Sequence, residues 1–291
     1  MIGKGAMVWQ LREWQDGDPA RQVAQALDLR LSHVSIKIID GTNEKYEAWW
    51  VKRQNYELLP ETIPALKEAG IGVKAWGWTY GSYPKAEAEK TIELCRKYGI
   101  DEFDIDAEHQ YNVPGMASAA EIYSCTLAGT VPEIRVGLCS YRFPKTYQPD
   151  FPVDAFAPFM DYWVPQVYFL GDCRLTGGAS QLEISSKQYD GIRKLPYIGV
   201  APTYLYKEWW RATKDQLILF FEKAKELGHE GFMVWDLPQA SREQLDAIKE
   251  FDWSPQPILD TDWIADVRNS AAAIREQVNR LDAIANNGET T

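Results

Sequence analysis

Cysteine and histidine are scarce in this chain, with four cysteines and three histidines among 291 residues. The cysteines are far apart and form no C-x-x-C pair: Cys95, Cys125, Cys139 and Cys173. The histidines show no metal-ligand spacing: His33, His109 and His229. These absences argue against a disulfide framework and a zinc site, so we expect buried free thiols, no metal ion and no cofactor.

A long apolar run is also lacking. No segment approaches the ~20 apolar residues that a membrane helix needs, and Met1 to Gln10 contains no apolar stretch long enough for a signal peptide. We therefore expect no contact with a membrane. The protein as written is expected to be cytosolic or exported without a leader, and a leader trimmed from the sequence is the other alternative.

Positive charge is in the minority, since 31 Lys and Arg face 42 Asp and Glu, for a net charge of −11. Such a chain repels the phosphates of nucleic acid and anionic membrane surfaces. Nucleic acid is therefore excluded as an expected partner.

The most informative segment that is present is Asp101-Glu-Phe-Asp-Ile-Asp-Ala-Glu108. On a β-strand alternate side chains point to opposite faces, so Asp104, Asp106 and Glu108 are predicted to share one face. Repulsion among the three carboxyl groups is expected to raise the pKa of at least one and keep a proton available near neutral pH. A solvated sheet edge is the alternative, but the apolar opposite face favours a central strand.

Short β-rich runs alternate with helical patterns along the chain. Eight runs are predicted to be strands: Ala6–Leu11, Val34–Asp40, Gly72–Thr79, Glu102–Glu108, Arg135–Tyr141, Tyr162–Tyr168, Tyr197–Tyr204 and Gly231–Asp236. Three helical patterns are each followed by a glycine that predicts a C-cap: Leu66–Ala69, Ala86–Tyr98 and Lys214–Leu227. The alternation predicts an α/β fold, a (β/α)8 TIM barrel over residues 1–252. An open doubly wound sheet is the alternative, but no glycine-rich phosphate loop follows the first strand.

Aromatic and polar side chains stand at the predicted strand ends, where the active site of a (β/α)8 barrel lies. They include Trp9, Asp40, Trp76, Trp78, Tyr80, Gln166, Tyr168, Tyr204 and Trp235. Any one aromatic residue could be plain core, because Trp and Tyr are often buried for packing alone. Several such ends beside acids indicate a carbohydrate site, since the apolar faces of sugar rings suit aromatic platforms.

The acidic segment resembles the strand-four motif of the family-18 glycoside hydrolases, the chitinase-type barrels. That motif reads Asp-Gly-apolar-Asp-apolar-Asp-x-Glu, and this chain matches it except at Glu102, where the motif has Gly. Gln166-Val-Tyr168 is similar to the family's strand-six Gln-x-Tyr, and Gly231-Phe-Met-Val-Trp235 to its strand-eight Gly-x-Met-x-Trp. The resemblance extends from Ala6 to Phe251.

The chain departs from the family pattern at two points. Ala75-Trp-Gly-Trp-Thr-Tyr-Gly81 replaces the strand-three Ser-x-Gly-Gly, and Glu102 replaces the motif Gly at a position that we expect to be solvated. A looser resemblance is to the family-25 lysozymes, barrels with Asp-x-Glu at a strand end. Non-catalytic barrels related to the chitinases typically lose the Glu that this chain keeps as Glu108.

The family-18 resemblance implies substrate-assisted, retaining cleavage of β-1,4 linkages in an N-acetylated polysaccharide of the chitin or peptidoglycan type. Glu108 would be the general acid and base, and Asp106 would orient the 2-acetamido group. Asp104 would share a proton with Asp106, Tyr168 would hydrogen-bond the acetamido oxygen, and Trp235 would support the sugar at the cleaved bond. The expected substrate-binding residues are Trp235, Gln166, Trp78, Tyr204, Trp9 and Asp40.

Two other classes of function compete with the enzyme. Three acids could hold Mg²⁺ or Ca²⁺, but residues two apart on a strand lie about 6.5–7 Å apart along it, so convergence on one ion needs further ligands. A glycan-binding or assembly-associated barrel without hydrolysis is the second class, and the complete set of acids favours the enzyme over it.

The C-terminal segment, residues 253–291, is predicted to be a linker followed by a helix. The helix carries an apolar stripe: Ile264, Val267, Ala271, Ile274, Val278, Leu281 and Ala285. Packing of this stripe on the barrel is one interpretation. Self-association, or docking to a larger assembly, is the other.

Overall fold

The computed structural model describes residues 1–47, 53–130, 133–146 and 148–253. The strands are β1 Gly3–Val8, β2 His33–Asp40, β3 Gly72–Trp78, β4 Glu102–Asp106, β5 Arg135–Cys139, β6 Tyr162–Trp163, β7 Ile198–Pro202 and β8 Gly231–Trp235. The helices are α1 Pro19–Asp28, α2 Asn55–Glu68, α3 Pro84–Tyr98, α4 Met116–Thr130, α5 Val153–Phe156, α6 Gly177–Asp190, α7 Lys214–Glu226 and α8 Arg242–Glu250.

All eight strands are parallel and form one sheet in the order β6-β5-β4-β3-β2-β1-β8-β7. The two edge strands approach each other, since Trp163 bridges Tyr197 and Gln166 bridges Val200. The amide of Val200 donates to the carbonyl of Pro165 at 3.0 Å across this seam. The predicted (β/α)8 barrel is confirmed.

The strands lie where the sequence predicted them, but their boundaries differ. Strand β6 covers only Tyr162–Trp163. Pro165 has no N–H group to donate toward β7, whereas the amides of Val164 and Gln166 still donate to Leu138 and Ser140 on the β5 side. Strand β4 ends at Asp106, so Glu108 lies outside the strand, with φ −133 and ψ −136, at the start of a 3₁₀ turn over His109–Tyr111. The prediction that Glu108 belongs to a regular strand was therefore wrong.

The core has two parts, one on each side of the sheet. Outward-facing residues such as Phe103 and Ile105 of β4 are fully buried between the strands and the helices. The barrel interior holds a second apolar cluster: Met7, Trp76, Cys139, Tyr162, Val164, Ile198, Val200 and Met233. Tyr168 and Trp235 pack on this cluster from the C-terminal side, so the bottom of the site is formed by the interior core.

Polar caps fix the loops that lead from strands into helices. The Glu87 carboxylate in the first turn of α3 accepts from the Thr79 hydroxyl at 2.6 Å and from the Tyr80 amide at 2.8 Å. It thereby holds the loop that follows Trp78. At the other end of α3, Gly99 adopts a left-handed conformation with φ 61, which favours glycine. Helices α7 and α8 begin with capping boxes, as Thr213 with Gln216 illustrates.

Within the described residues, no helix combines the length and the apolar character that crossing a bilayer requires. The predicted C-terminal linker and helix, and with them the stripe proposed for self-association, lie outside those residues except for Trp253. The Trp253 ring packs edge-on against Phe232 of β8, with the centroids 5.6 Å apart.

Candidate active site

A cavity of about 220 Å³ opens at the C-terminal face of the barrel. Its lining comes from seven strands or the turns that follow them: Met7, Trp9, Lys37, Trp76, Trp78, Asp106, Glu108, Cys139, Gln166, Tyr168 and Trp235. Pockets for drug-sized ligands usually begin near 300 Å³. The cavity therefore suits one ring-sized unit of a larger molecule that extends outside it.

Asp106 and Glu108 meet in this cavity through Gln166. The side-chain amide of Gln166 donates to Asp106 Oδ1 at 3.1 Å and to Glu108 Oε1 at 2.7 Å. Because one nitrogen contacts both oxygens, those oxygens lie no more than about 6 Å apart, so both carboxyl groups can reach one sugar unit. Asp106 is 5% exposed at the bottom of the site, whereas Glu108 is half-buried.

Burial is the largest influence on both carboxyl groups. It raises the pKa of Asp106 well above its usual range, the negative charge of Glu108 adds to this rise, and the Lys37 ammonium opposes it. Burial also raises the pKa of Glu108, against the hydrogen bond from Gln166 and the charge of His109. Repulsion between carboxylates, the cause expected from the sequence, is thus the secondary effect.

Asp104 lies one layer deeper and does not line the cavity. It is fully buried, with its Oδ1 atom 3.0 Å from Lys74 Nζ and 2.7 Å from the Tyr162 hydroxyl. The Ser35 hydroxyl donates to Oδ2 at 3.0 Å. Asp104 shares the inner face of β4 with Asp106, because side chains alternate along a strand. The side chains that contact Asp104, however, come from other strands of the barrel.

Indole rings dominate the wall of the cavity. Trp235 and Trp76 meet edge to face with their centroids 5.0 Å apart, and Trp78 packs on His109 at 5.9 Å. Trp9 is 40% exposed, which places an aromatic face at the cavity mouth. Three of these four indole rings belong to residues that were predicted to bind substrate. The fourth, Trp76, was predicted only to stand at a strand end.

Tyr204 and Asp40, both predicted to bind substrate, stand behind the lining residues. Tyr204 packs edge-on against Tyr168, with the ring centroids 5.9 Å apart. Asp40 is held by Lys37 Nζ at 2.6 Å and by the Tyr80 hydroxyl at 2.6 Å. Both residues therefore support side chains that reach the cavity, and neither lines it.

Met7, Lys37 and Cys139 line the cavity without having been predicted as site residues. Lys37 is the one cationic side chain among the described residues of the lining, and its ammonium lies 5.1 Å from the Trp76 ring centroid. All three occupy inward positions near strand ends. The period-two alternation of each strand could have identified them, had it been applied to all residue types.

In the described ranges, no group of three or more His, Cys, Asp or Glu side chains could hold a metal ion. The site is instead a (β/α)8 barrel mouth with two closely spaced carboxyl groups, a bridging amide and an aromatic wall.

Comparison by sequence matches the chain to no protein-family model and to no curated protein. By structure it resembles the catalytic domain of a hyperthermophilic chitinase from Pyrococcus furiosus, with 12% identity, a TM-score of 0.63, and coverage of 87% of this chain and 98% of that one. The class V chitinase from Nicotiana tobaccum is similar at 11% identity, with a TM-score of 0.61 and coverage of 86% and 98%.

A third solved structure is the spore cortex-lytic enzyme SleL of Bacillus megaterium, at 8% identity, a TM-score of 0.58, and coverage of 88% of this chain and 75% of that one. At these identities the likeness concerns the fold. The chitinase-type barrel expected from the strand-four motif is confirmed at that level.

Proposed function

We propose that this protein is a glycoside hydrolase that cleaves β-1,4 linkages in an N-acetylated polysaccharide of the chitin or peptidoglycan type. The observation that carries the proposal is the Gln166 amide, which joins Asp106 and Glu108 at the bottom of an aromatic cavity. Chitinases and a cortex-lytic enzyme share the fold, which supports the same class of substrate.

Glu108 is the general acid of the proposed reaction. Burial raises its pKa, which favours the protonated form that a general acid needs, and its half-buried position leaves it accessible from the cavity. Glu108 protonates the glycosidic oxygen as the bond to the anomeric carbon breaks. The same carboxylate then removes a proton from the water molecule that attacks the anomeric carbon in the second step.

Asp106 is the residue that orients the acetamido group. In the first step the acetamido carbonyl oxygen attacks the anomeric carbon and forms a cyclic oxazolinium ion, while Asp106 accepts a hydrogen bond from the acetamido nitrogen. Water reopens the ring in the second step, which restores the acetamide and retains the anomeric configuration.

A direct nucleophilic role for Asp106 is less favoured. A carboxylate nucleophile must be ionised, whereas burial and the charge of Glu108 raise the pKa of Asp106 well above its usual range. The orienting role needs only a hydrogen-bond acceptor, which the Asp106 carboxyl supplies in either protonation state. The ring of Tyr168 and the side chains of Met7 and Cys139 would then surround the acetamido group.

The test is hydrolysis of chitin oligomers and of peptidoglycan, with products measured by mass spectrometry. Glu108→Gln is expected to lower the rate by at least about 10²–10⁴-fold while substrate binding persists, because only the general acid is removed. The matched control is Glu89→Gln, which changes an exposed glutamate of α3.

Turnover by Glu108→Gln at the wild-type rate would refute the assignment of Glu108. If the wild-type protein binds both glycans and cleaves neither, the hydrolase proposal is wrong and the glycan-binding barrel is the better interpretation.

A further inference from the structure

Four acidic residues form a column on the inner side of β4 and its C-terminal turn, named here the acid column: Glu102, Asp104, Asp106 and Glu108. Its two halves differ in their surroundings. The upper half, Asp106 and Glu108, lines the cavity. The lower half, Glu102 and Asp104, is buried beneath it at 6% and 0% exposure.

Three cations are placed against the lower half. Lys74 Nζ lies 3.0 Å from Asp104 Oδ1 and 3.8 Å from Glu102 Oε2, and the lysine side chain is fully buried. Arg135 Nη1 donates to Glu102 Oε1 at 3.0 Å, and the Met1 amine pairs with the same oxygen. Lys74, Arg135 and the Met1 amine together offset the charges of Glu102 and Asp104, which accounts for the burial of Glu102, a residue predicted to be solvated.

Every polar contact of the Asp104 carboxyl comes from a group that can donate. Besides Lys74, the hydroxyls of Tyr162 and Ser35 reach its two oxygens at 2.7 and 3.0 Å. The Lys74 contact is an ion pair without the alignment of a hydrogen bond. An ammonium and two hydroxyl donors favour the ionised form of a carboxyl group.

The other ionisable groups near this network are Glu102, His33 and Glu230. Burial tends to raise the pKa of Glu102, but the charges of Lys74, the Met1 amine and Arg135 outweigh it and the pKa is lowered. Burial, and then the charge of Lys74, lower the pKa of His33, which therefore stays neutral. Glu230 faces Arg135 at 3.8 Å.

We propose that Lys74 takes the place of a shared proton in this chain. Asp104 and Lys74 form a buried ion pair, and the two charges together set the electrostatic field beneath Asp106. The inference rests on the proposed function and departs from the proton sharing that the family-18 resemblance implies. Asp104 and Lys74 are positioning residues, since neither lines the cavity.

The proposal is tested by the pH dependence of kcat/KM in Asp104→Asn and in the double variant Lys74→Met/Asp104→Asn. In Asp104→Asn the Lys74 charge faces an uncharged amide, so Asp106 ionises at lower pH. We therefore expect kcat/KM to fall roughly 10- to 100-fold and its pH profile to move to lower pH. The double variant removes one positive and one negative charge together. It is expected to recover to within about fivefold of wild type, since the two changes compensate.

The matched control is Lys4→Met. Lys4 is a buried lysine of β1 whose ammonium donates to the carbonyls of Ile248 and Phe251, both at 2.9 Å, away from the acid column. This substitution should leave the pH profile in place. A double variant that stays as impaired as Asp104→Asn would overturn the proposal, because the Asp104 carboxyl itself would then be needed.

If the variants do not fold, a measurement on the unmodified protein tests the proposal instead. Carbon-13 NMR of labelled aspartate carboxyls, assigned with Asp106→Asn and Asp104→Asn spectra, is expected to show Asp106 titrating without an accompanying step at Asp104. Joint titration of the two groups, the signature of a shared proton, refutes the proposal. Because this readout needs no turnover, it separates failure of the inference from failure of the proposed hydrolysis.

Discussion

Replacing Gln166 with leucine should show how strongly the bridging amide organises the site. The substitution keeps the size of the side chain and removes the donor to Asp106 and Glu108. It also removes the contact of 3.7 Å between the amide nitrogen and Cys139 Sγ. The two carboxyl groups then lose the group that fixes their separation.

The magnitude follows from the two hydrogen bonds. A hydrogen bond to a charged group contributes about 1.5–3 kcal/mol, and each 1.36 kcal/mol corresponds to a tenfold rate change. If one charged bond is lost in the transition state, kcat/KM should fall roughly 10- to 100-fold. The Gln166 bond also holds the pKa of Glu108 down against burial, so its removal should raise that pKa further.

The sign of the pH effect is definite. A general acid works in its protonated form, so activity is lost as pH rises through the pKa of Glu108. In Gln166→Leu this basic limb should move to higher pH. The assay is the pH profile of kcat/KM on a chromogenic chitin oligomer, with Gln188→Leu in α6 as the matched control. Unchanged activity together with an unmoved basic limb would refute the bridging role.

Three further outcomes are expected. Asp106→Asn should lower the cleavage rate at least about 100-fold, and the wild-type enzyme should need the N-acetyl group; equal rates on plain glucose polymers would refute substrate assistance. His229, whose pKa burial lowers to about 3, takes up a proton on unfolding, so the free energy of unfolding should fall as pH drops from about 6.5 to 4, by up to about 3 kcal/mol. Urea titrations should show a weaker fall in His229→Gln, and parallel curves would contradict this. Deleting residues 260–291 should leave activity intact, because all eight strands precede them. If the stripe mediates self-association, light scattering should show a smaller particle, and if it packs on the barrel, thermal melting should show lower stability. A deletion that changes neither particle size nor melting temperature would refute both interpretations of the stripe.

Local pattern was enough to predict the barrel and eight of the eleven residues that line its cavity. The eight strand segments each carry their own alternation, and parallel strands bring all C-terminal ends to one face. Asp106, Gln166 and Trp235 lie at or just beyond such ends, and all three line the cavity. No knowledge of which strands are neighbours was needed for them.

The local environment of each carboxyl could not be predicted in the same way. The sequence shows how many acids stand near one another, but not how much water reaches them. Burial proved to be the largest influence on the pKa of both Asp106 and Glu108, and burial depends on side chains supplied by other strands. Glu102, expected in solvent, is buried for the same reason.

The periodicity of single segments was sufficient to predict the eight strands along the chain, the inner face of β4 and the residues at the strand ends. Contacts between segments decide that Lys37 reaches the cavity, that Glu108 turns out of the strand, and that Lys74 pairs with Asp104. Lys74 and Asp104 come from strands 30 residues apart. The register between neighbouring strands, here Trp76 of β3 opposite Asp104 of β4, sets which side chains share one layer of the interior, and one segment alone does not contain that register.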